Sequence, residues 1–367
     1  MDHHLKHRVM LAGWVAWPGA PLALVSALLF GASTPFAKLL IGNGLSPWLL
    51  AGLLYLGSGI GLGLVELARR GFAFDFGEAP LRRADVPWLA LVILFGGIAG
   101  PLLLMVGLTT TPASSASLLL NLEGLATMAI AWVAFKENVD RRLLVGAMAI
   151  LAGAVLLSWQ GGPAGAGLGA LAIAGACLCW GIDNNLTRRL SASNPLQIAL
   201  IKGLSAGSVN LILALALGAH LPPLSGLAGA AAIGFLGYGV SLVLFVLALR
   251  FLGAARTGAY FSTAPFAGAI LSVFMFGEPL TLRLGAAGVL MAIGLYLHLA
   301  ETHDHEHSHE AMEHEHRHVH DAHHQHTHGP HDPTGEPHSH WHYHEPLTHR
   351  HAHYPDLHHR HGHTETG

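Results

Sequence analysis

Apolar segments of about twenty residues, the length of a membrane-crossing helix, alternate with short polar breaks from residue 20 to residue 299. An α-helix rises about 1.5 Å per residue, so roughly 20 apolar residues cross the ~30 Å hydrocarbon core of a bilayer. The pattern therefore predicts ten transmembrane helices. The predicted spans are 20–41, 47–68, 86–108, 112–134, 140–160, 166–187, 195–217, 225–249, 255–276 and 280–299.

The composition agrees with this pattern. Of the 367 residues, 52% are hydrophobic and only 11% are charged, whereas soluble domains carry about 25% charged residues. We therefore predict an all-α integral membrane protein whose first partner is the lipid bilayer. Nothing in the composition points to a nucleic-acid partner.

Basic residues lie at alternate breaks between the spans. With the N-terminus placed in the cytoplasm, 13 Lys and Arg residues fall in cytoplasmic segments, and Arg283 at the start of the last span is the near exception. Short cytoplasmic loops of membrane proteins carry this excess of positive charge. Both termini are therefore predicted to face the cytoplasm, with the protein in the cell (inner) membrane. The 13 residues are Lys6, Arg8, Arg69, Arg70, Arg82, Arg83, Lys136, Arg141, Arg142, Arg188, Arg189, Arg250 and Arg256.

The chain contains an internal repeat. Residues 107–137 and 248–278 align without a gap at an offset of 141, with five of 31 positions identical and a common Phe-x-Glu ending. Residues 30–38 and 180–188 form a second match at an offset of 150. Five spans per half make the repeats inverted, which is typical of secondary carriers with a midplane substrate site. The predicted domains are an N-terminal cytoplasmic segment 1–19, repeats 20–160 and 161–300, and a tail 301–367.

These features resemble the EamA family of the drug/metabolite transporter superfamily. The resemblance rests on the two five-helix repeats, on the Gly-bearing first helix of each half, and on the ending Phe276-Gly277-Glu278-Pro279-Leu280-Thr281 before a Gly-rich last helix. It covers roughly residues 20–300. It implies a transporter of small organic molecules, because members of the family export amino acids, other metabolites and drugs.

Glu123 lies at the centre of the fourth predicted span, where an ionised carboxylate is most costly. One interpretation is a proton- or cation-linked carboxylate that lines a central cavity. The alternative is a structural carboxyl that is protonated or paired with a buried lysine. The matching residue of the second half is Ala264, which favours the functional interpretation. Asn121 adds an amide to the same helix, on a different face from Glu123.

Two further charged residues lie at similar depth in the membrane. Lys202 is inside the seventh span and Asp183 is near the cytoplasmic end of the sixth. We expect them to pair, either as part of a substrate site or as a packing salt bridge. Lys38, near the outer end of the first span, is a third candidate, although a lysine there also has room to extend its amine to the membrane surface.

The ninth span supplies the cavity candidates of the second half. Pro265 breaks the helical pattern and can free backbone carbonyls towards a cavity, as can Pro35 in the first span. Tyr260 lies one turn before Pro265. We predict that Tyr260 and Pro265 line the substrate cavity together with Glu123, Asn121, Lys202, Asp183 and Lys38.

The tail has a different composition from the membrane part. Residues 301–367 contain 24 of the 29 His residues, with a net charge of −9, and they have too little apolar content for a core. We predict that the tail is disordered and binds Zn, Ni, Co or Cu, for which neutral imidazole is a suitable ligand. The candidate ligands are His303, His305, His307, His309, His314, His316, His318, His320, His340, His342 and His344.

Three functions remain open at this point. The first is a gradient-driven exporter of a small organic metabolite, with the tail as an accessory; the sequence has no G-x-x-x-x-G-K-[S/T] nucleotide motif. The second is a carrier of divalent transition metal, and the third is a metal-responsive sensor. The spans contain His298, Cys177 and Cys179 but no cluster of His and carboxylates, which favours a metabolite. We predict no enzyme activity and no required cofactor, and a homodimer is a further predicted assembly.

Overall fold

The computed structural model describes residues 19–71, 81–135, 141–159, 167–190 and 193–299, and four tail segments, 303–309, 312–318, 338–344 and 347–353. The predicted N-terminal segment and several of the predicted cytoplasmic breaks lie outside the described residues.

The described part of residues 19–299 is built from helices. The first half contains α1 (Gly19–Gly42), α2 (Pro47–Gly71), a 3-10 turn (Arg83–Asp85), α3 (Val86–Val92), the π-helix π1 (Ile93–Ala99), α4 (Gly100–Thr110), α5 (Ala113–Leu119), α6 (Leu122–Phe135) and α7 (Arg141–Ser158). The second half contains α8 (Leu168–Leu190), α9 (Pro195–Ala216), α10 (Leu224–Ile233), the π-helix π2 (Gly234–Val240), α11 (Ser241–Phe261), α12 (Ala264–Phe276) and α13 (Leu282–Leu299).

These helices make the chain a multi-pass membrane protein. Within the described residues, seven helical segments are long and apolar enough to cross a membrane, and two shorter apolar helices, Ala264–Phe276 and Leu282–Leu297, follow them in the chain. Large apolar side chains such as Val133 and Leu282 are 76% and 91% exposed. Such surfaces are stable against lipid tails rather than water. The count of ten spans stays a prediction.

Proline and asparagine set where several helices begin. Pro195 occupies the first turn of α9, where a missing N–H costs nothing. The side chain of Asn194 accepts hydrogen bonds from the backbone N–H groups of Leu196, at 2.9 Å, and Gln197, at 3.2 Å. This cap satisfies two of the free donors at the helix N-terminus.

Helices α2 and α9 pack at very close range through glycine. A Cβ atom placed on Gly203 would lie 2.7 Å from the backbone nitrogen of Gly59. One on Gly52 would lie 2.7 Å from the backbone nitrogen of Leu211. Small residues permit this approach of membrane helices. The contact joins the second helix of one half to the corresponding helix of the other.

The two π-helices show the repeat in the backbone itself. Both π1 and π2 contain seven residues. Each residue of π2 lies 141 positions after the corresponding residue of π1, which is the repeat offset found in the sequence. The interruption between α5 and α6 at Leu120–Asn121 likewise corresponds to that between α11 and α12 at Ser262–Thr263, within one residue. A π-helix interrupts the regular i to i−4 bonding and is frequent at functional sites.

The chain reverses direction within α11. The rings of Phe245 and Phe261 have centroids 4.8 Å apart, whereas sixteen residues of straight helix would separate them by about 24 Å. The reversal therefore lies between these two residues. The predicted break between residues 249 and 255 falls within this interval and stays a prediction.

The tail differs from its predicted disorder. Four strands, β1 (His303–His309), β2 (Met312–His318), β3 (His338–His344) and β4 (Leu347–His353), form two antiparallel two-stranded ribbons, β1 with β4 and β2 with β3. Disorder was expected because the tail cannot form an apolar core. The strict alternation of His with other residues has, however, the period of two that suits a strand. The prediction of disorder is not confirmed for these four segments.

Candidate functional site

Asp183 of α8 and Lys202 of α9 form an ion pair inside the helical bundle. The Lys202 Nζ to Asp183 Oδ2 distance is 2.5 Å, and the two side chains are 15% and 8% exposed. The hydroxyl of Thr187, one turn along α8, donates to the other carboxylate oxygen at 3.1 Å. The pairing expected from their similar depth is confirmed.

The ion pair packs against the backbone of π1. A Cβ atom on Gly96 would lie 2.6 Å from Lys202 Nζ and closer still to the Asp183 carboxylate, so any larger residue there would displace the pair. The carbonyl oxygen of Gly96 accepts hydrogen bonds from the Tyr55 hydroxyl, at 2.6 Å, and from Trp180 Nε1, at 3.1 Å. The π-helix thus presents a carbonyl that is bonded to side chains of two neighbouring helices.

Glu123 lies in the first turn of α6, directly after the interruption in its membrane segment. Its side chain is half-buried. Asn184 Nδ2 donates to Glu123 Oε1 at 2.9 Å and to the hydroxyl oxygen of Thr127 at 3.2 Å. The Thr127 hydroxyl donates to the Glu123 carbonyl at 2.9 Å. The direct partner of the carboxylate is therefore a neutral amide.

These groups form one polar cluster. Asp183 and Asn184 are consecutive residues of α8, so one turn of helix contacts both Lys202 and Glu123. Glu123 also interacts electrostatically with Asp183 and with Lys202. We refer to Glu123, Asp183, Asn184 and Lys202 as the central cluster. It joins α6, α8 and α9 and therefore both halves of the chain.

Aromatic side chains continue from the cluster into the other helices. The ring of Tyr55 packs against Tyr238 of π2 with centroids 5.4 Å apart. Phe30 of α1 lies 5.9 Å from Tyr238 and 5.3 Å from Phe261. Ring contacts at these distances are attractive. They place a continuous aromatic surface beside the charged groups.

The repeat produces the same backbone arrangement twice, but only one of the two copies carries charged side chains. By the offsets of 141 and 150, Gly96 and Asp183 correspond to Gly237 and Ser33. A Cβ atom on Gly237 would lie 2.7 Å from the Cβ atom of Ser33, so the pairing of glycine with a first-helix side chain is kept. The fold therefore does not require a carboxylate at this position.

Lys38 lies outside the central cluster. Its amine donates to the backbone carbonyls of Leu108 and, at 3.1 Å, Thr111, at the C-terminal end of α4. A lysine at a helix C-terminus satisfies free carbonyls and complements the helix dipole. This contact accounts for Lys38 without a substrate, and its role in the cavity stays a prediction.

The remaining predicted cavity residues have local partners. Asn121 is buried, and its side-chain nitrogen donates to the Leu118 carbonyl at 2.8 Å. Pro265 lies in the first turn of α12 and thus begins a helix after the interruption at Ser262–Thr263. Tyr260 is half-buried in the last turn of α11, directly before Phe261 in the chain. Their function stays a prediction.

Sequence reasoning missed a carboxylate that links the two halves. Glu278 accepts hydrogen bonds from the backbone N–H groups of Ala113, at 2.8 Å, and Ser114, at 3.1 Å, and from the Ser114 hydroxyl. It thereby caps α5 from the other half of the chain. Its place in the repeated Phe-x-Glu ending was the available signal.

Asn184, Tyr55 and Gly96 were also missed. The signal for Asn184 was its position next to Asp183, and the signal for Gly96 was the Gly96-Gly97 pair inside an apolar span. The contacts of these residues join helices far apart in the chain, so no local pattern contains them.

A multi-pass helical bundle with a charged cluster between two repeated halves is typical of membrane transport proteins. The sequence model of the EamA-like transporter family matches residues 17–159 and, a second time, residues 167–300. The chain therefore belongs to the EamA-like transporter family, within the drug/metabolite transporter superfamily.

Individual relatives agree with this family. An uncharacterized transporter of Methanothermobacter thermautotrophicus is 28% identical over 292 residues, which cover 75% of this chain and 84% of the relative. A solved crystal structure aligns over 77% of this chain and 96% of its own, with a TM-score of 0.56 and 20% identity. At that identity, the likeness is one of fold.

Proposed function

We propose that the protein is a gradient-driven secondary transporter that exports a small organic metabolite, with Glu123 as the group that exchanges protons. The observation that carries this proposal is the unequal pairing within the central cluster. Asp183 is compensated by Lys202, whereas Glu123 is held by the neutral amide of Asn184.

The unequal pairing makes Glu123 the group best suited to change its charge. An ionised carboxylate inside a membrane is costly, and such residues commonly form proton relays in transporters. A proton, or an ionised group of the cargo, can neutralise Glu123 without breaking an ion pair. Competition between the two for one carboxylate couples proton entry to cargo exit.

The surroundings suit an organic cargo. Binding sites for small molecules combine apolar and aromatic walls with a few polar groups that fix orientation. The ring surface of Tyr55, Tyr238, Phe30 and Phe261 supplies the walls. The central cluster supplies groups of both charges.

The topology supports alternating access. Two inverted repeats of five spans, with both termini in the cytoplasm of a cell (inner) membrane, would place the central cluster near the midplane. The matched π-helices and the matched interruptions of the fourth span of each half support this arrangement. The two halves can then rock about the cluster and open it to one side at a time.

A carrier of divalent transition metal is the second candidate, favoured by the His-rich tail. The central cluster offers carboxylate and amide oxygens, which suit Mg or Ca better than Zn, Ni or Co. In the described part of residues 19–299, no group of three or more His, Cys, Asp or Glu side chains is placed to hold a metal ion. A sensor without transport is the third candidate.

One screen tests the three candidates. Inside-out proteoliposomes with an acidic lumen are exposed to a mixture of labelled amino acids, amines and organic acids, and separately to Zn, Ni and Co. We expect accumulation of an organic compound that a protonophore abolishes. Accumulation of metal by a protein that ends at Ala300 would instead favour the metal carrier, and no flux at all would favour the sensor.

A further inference from the structure

An apolar groove lies on the perimeter of the helical bundle, along α7. Its volume is about 530 Å³, a size typical of sites for small molecules. Met148 is 59% exposed and Val155 is 53% exposed, so the described helices leave the groove open. Besides Arg283 of α13, the groove is lined by five residues of α7 and by the residue that follows it: Met148, Leu151, Ala152, Val155, Leu156 and Trp159.

The groove borders a tightly packed pair of helices, α7 and α13. A Cβ atom on Gly153 would lie 2.8 Å from Cγ of Met291, and one on Gly294 would lie 2.5 Å from the carbonyl oxygen of Gly146. Small residues allow membrane helices to approach this closely. Gly153 and Gly294 correspond at the repeat offset of 141, so both halves contribute the same contact. The groove therefore has a well-packed wall and is not a gap between loose helices.

Arg283 places a positive charge at one end of the groove. Its Nε donates to the carbonyl oxygen of Leu156, and its Nη2 donates to that of Leu157 at 3.5 Å. These are free carbonyls of the last turn of α7. A guanidinium has five N–H donors, and these contacts use two of them. Within the described ranges, no carboxylate forms an ion pair with Arg283.

The charged end of the groove lies at a membrane surface in the predicted topology. Arg283 is the near exception to the alternation of basic residues, because it lies at the end of the spans that is predicted to face away from the cytoplasm. Trp159 lies at the same end, and tryptophan is enriched where a membrane meets water. The guanidinium and the indole are therefore at the level of the lipid headgroups, and the apolar part of the groove extends into the hydrocarbon region.

A second copy of the chain would need an acidic residue to meet Arg283 at this level. Among residues 1–300, Glu278 is the one acidic residue near the predicted outer ends of the spans. It is already bonded to the backbone of Ala113 and Ser114. A phospholipid supplies what the second copy lacks, since it joins an anionic phosphate to an acyl chain.

We infer that the groove is a binding site for one anionic phospholipid, with its phosphate at Arg283 and an acyl chain along α7. Hydrogen bonds between a guanidinium and a phosphate are charge-assisted and stronger than neutral ones. A zwitterionic lipid offers the same phosphate together with an ammonium group that Arg283 repels, so the site prefers a lipid with net negative charge. The site is separate from the central cluster and does not depend on what the protein transports.

Quenching of Trp159 fluorescence tests this inference at the groove itself. Phosphatidylglycerol and phosphatidylcholine with brominated chains are titrated separately into the full-length protein in detergent. The contribution of Trp159 is the difference between each protein and the same protein with Trp159→Phe. The variants are Arg283→Gln and Arg283→Lys, and the matched control is Arg142→Gln, which changes the exposed arginine at the equivalent repeat position of α7.

We expect the unmodified protein and Arg142→Gln to be half-quenched at a concentration of phosphatidylglycerol about tenfold lower than that of phosphatidylcholine, because only the former leaves the charge of Arg283 neutralised. Arg283→Gln should lose this difference. Arg283→Lys should keep it, because the positive charge remains, and this variant shows that a loss in Arg283→Gln does not come from poor folding. Inorganic phosphate should not displace the lipid, because it has no chain for the groove.

Three results would overturn the inference. Equal quenching of the unmodified protein by the two lipids would mean that the groove does not select an anionic headgroup. A preference that persists in Arg283→Gln would mean that another group makes the selection. A dimer that is stable without added lipid and is dissociated by Arg283→Gln would mean that a second copy covers the groove. Because the titration requires no transport, each of these results leaves the proposed function untouched.

Discussion

Asp183 and Lys202 neutralise each other, and Glu123 does not share in that pairing. The 2.5 Å contact lies in a part of the protein where each side chain is at most 15% exposed. Removing one member of a buried pair leaves a charge that has lost its partner, which costs more than removing both. This difference can be measured.

The first prediction concerns the pair. Lys202→Met or Asp183→Asn alone should lower the free energy of unfolding by about 3–5 kcal/mol. The double variant should recover most of that loss, because no unpaired charge remains. Thermal unfolding of the purified proteins in detergent measures both effects. A double variant as unstable as the sum of the two single variants would contradict the pairing.

The second prediction concerns the glycine beneath the pair. Gly96→Ala should displace Lys202 or Asp183, because the new Cβ atom has no space, and it should lower stability by about 1–3 kcal/mol. Gly285→Ala is the matched control, since a Cβ atom there meets nothing within 4 Å. Gradient-driven uptake and thermal stability are compared in both variants. Equal behaviour of the two variants would show that Gly96 does not support the cluster.

Part of the site was predictable at the scale of residues. The depth of a charged residue along its span can be counted, so the Asp183–Lys202 contact followed from the sequence. Which residues face each other across neighbouring helices cannot be counted in this way, because the rotation and pairing of helices depend on packing across the whole bundle. The contact of Asn184 with Glu123, 61 residues away in the chain, could therefore not be predicted from the sequence.

Among the helices, the contact of Glu278 with α5 joins the two halves at the predicted outer end. Gly277 adopts a left-handed conformation, with φ of 60°, and ends α12. This turn places the next residue, Glu278, at the free N–H groups of α5. A helix cap usually comes from its own chain segment, whereas this one comes from the other half.

The third prediction follows from this cap. Glu278→Ala should cost about 1 kcal/mol of stability, as should Thr281→Ala, which removes a cap within α13. Glu278→Ala alone should also loosen the contact of α5 with α12, where Ser117 is buried against Gly268. This loosening is measured with a cysteine introduced by Ser117→Cys in a protein that also carries Cys177→Ala and Cys179→Ala. The readout is the rate at which a membrane-impermeant maleimide labels that cysteine from outside.

Faster labelling in the Glu278→Ala background than in the Thr281→Ala background would confirm that Glu278 keeps the outer end closed. Equal labelling in both backgrounds would mean that the cap stabilises α5 and has no part in opening.

The helices themselves followed from the apolar pattern, and the irregular segments did not. Pro47 and Pro195 mark helix starts that a sequence displays directly. The π-helices lie inside unbroken apolar spans, where a hydrophobicity pattern has no signal for an extra residue per turn. The repeat offset of 141 nevertheless relates π1 to π2, so the second could be placed once the first was known.

At the scale of the whole molecule, the charge of the loops determines the orientation. The fourth prediction is that a cysteine introduced by Ser339→Cys in the tail, with a metal chelator present, is labelled only from the cytoplasmic side. The basic residues at alternate breaks are the reason. Labelling from outside intact cells would mean that a span is miscounted and that the repeats are not inverted.

The central claim is that Glu123 couples the proton gradient to export. Glu123→Gln keeps the size and the hydrogen bond to Asn184 but removes the titrating group. It is measured in acid-lumen proteoliposomes with the compound that the unmodified protein accumulates, alongside exchange of labelled for unlabelled compound without a gradient. We predict that exchange persists and that accumulation is lost, because only accumulation requires a proton step. Gradient-driven accumulation by Glu123→Gln at the rate of the unmodified protein would contradict the claim.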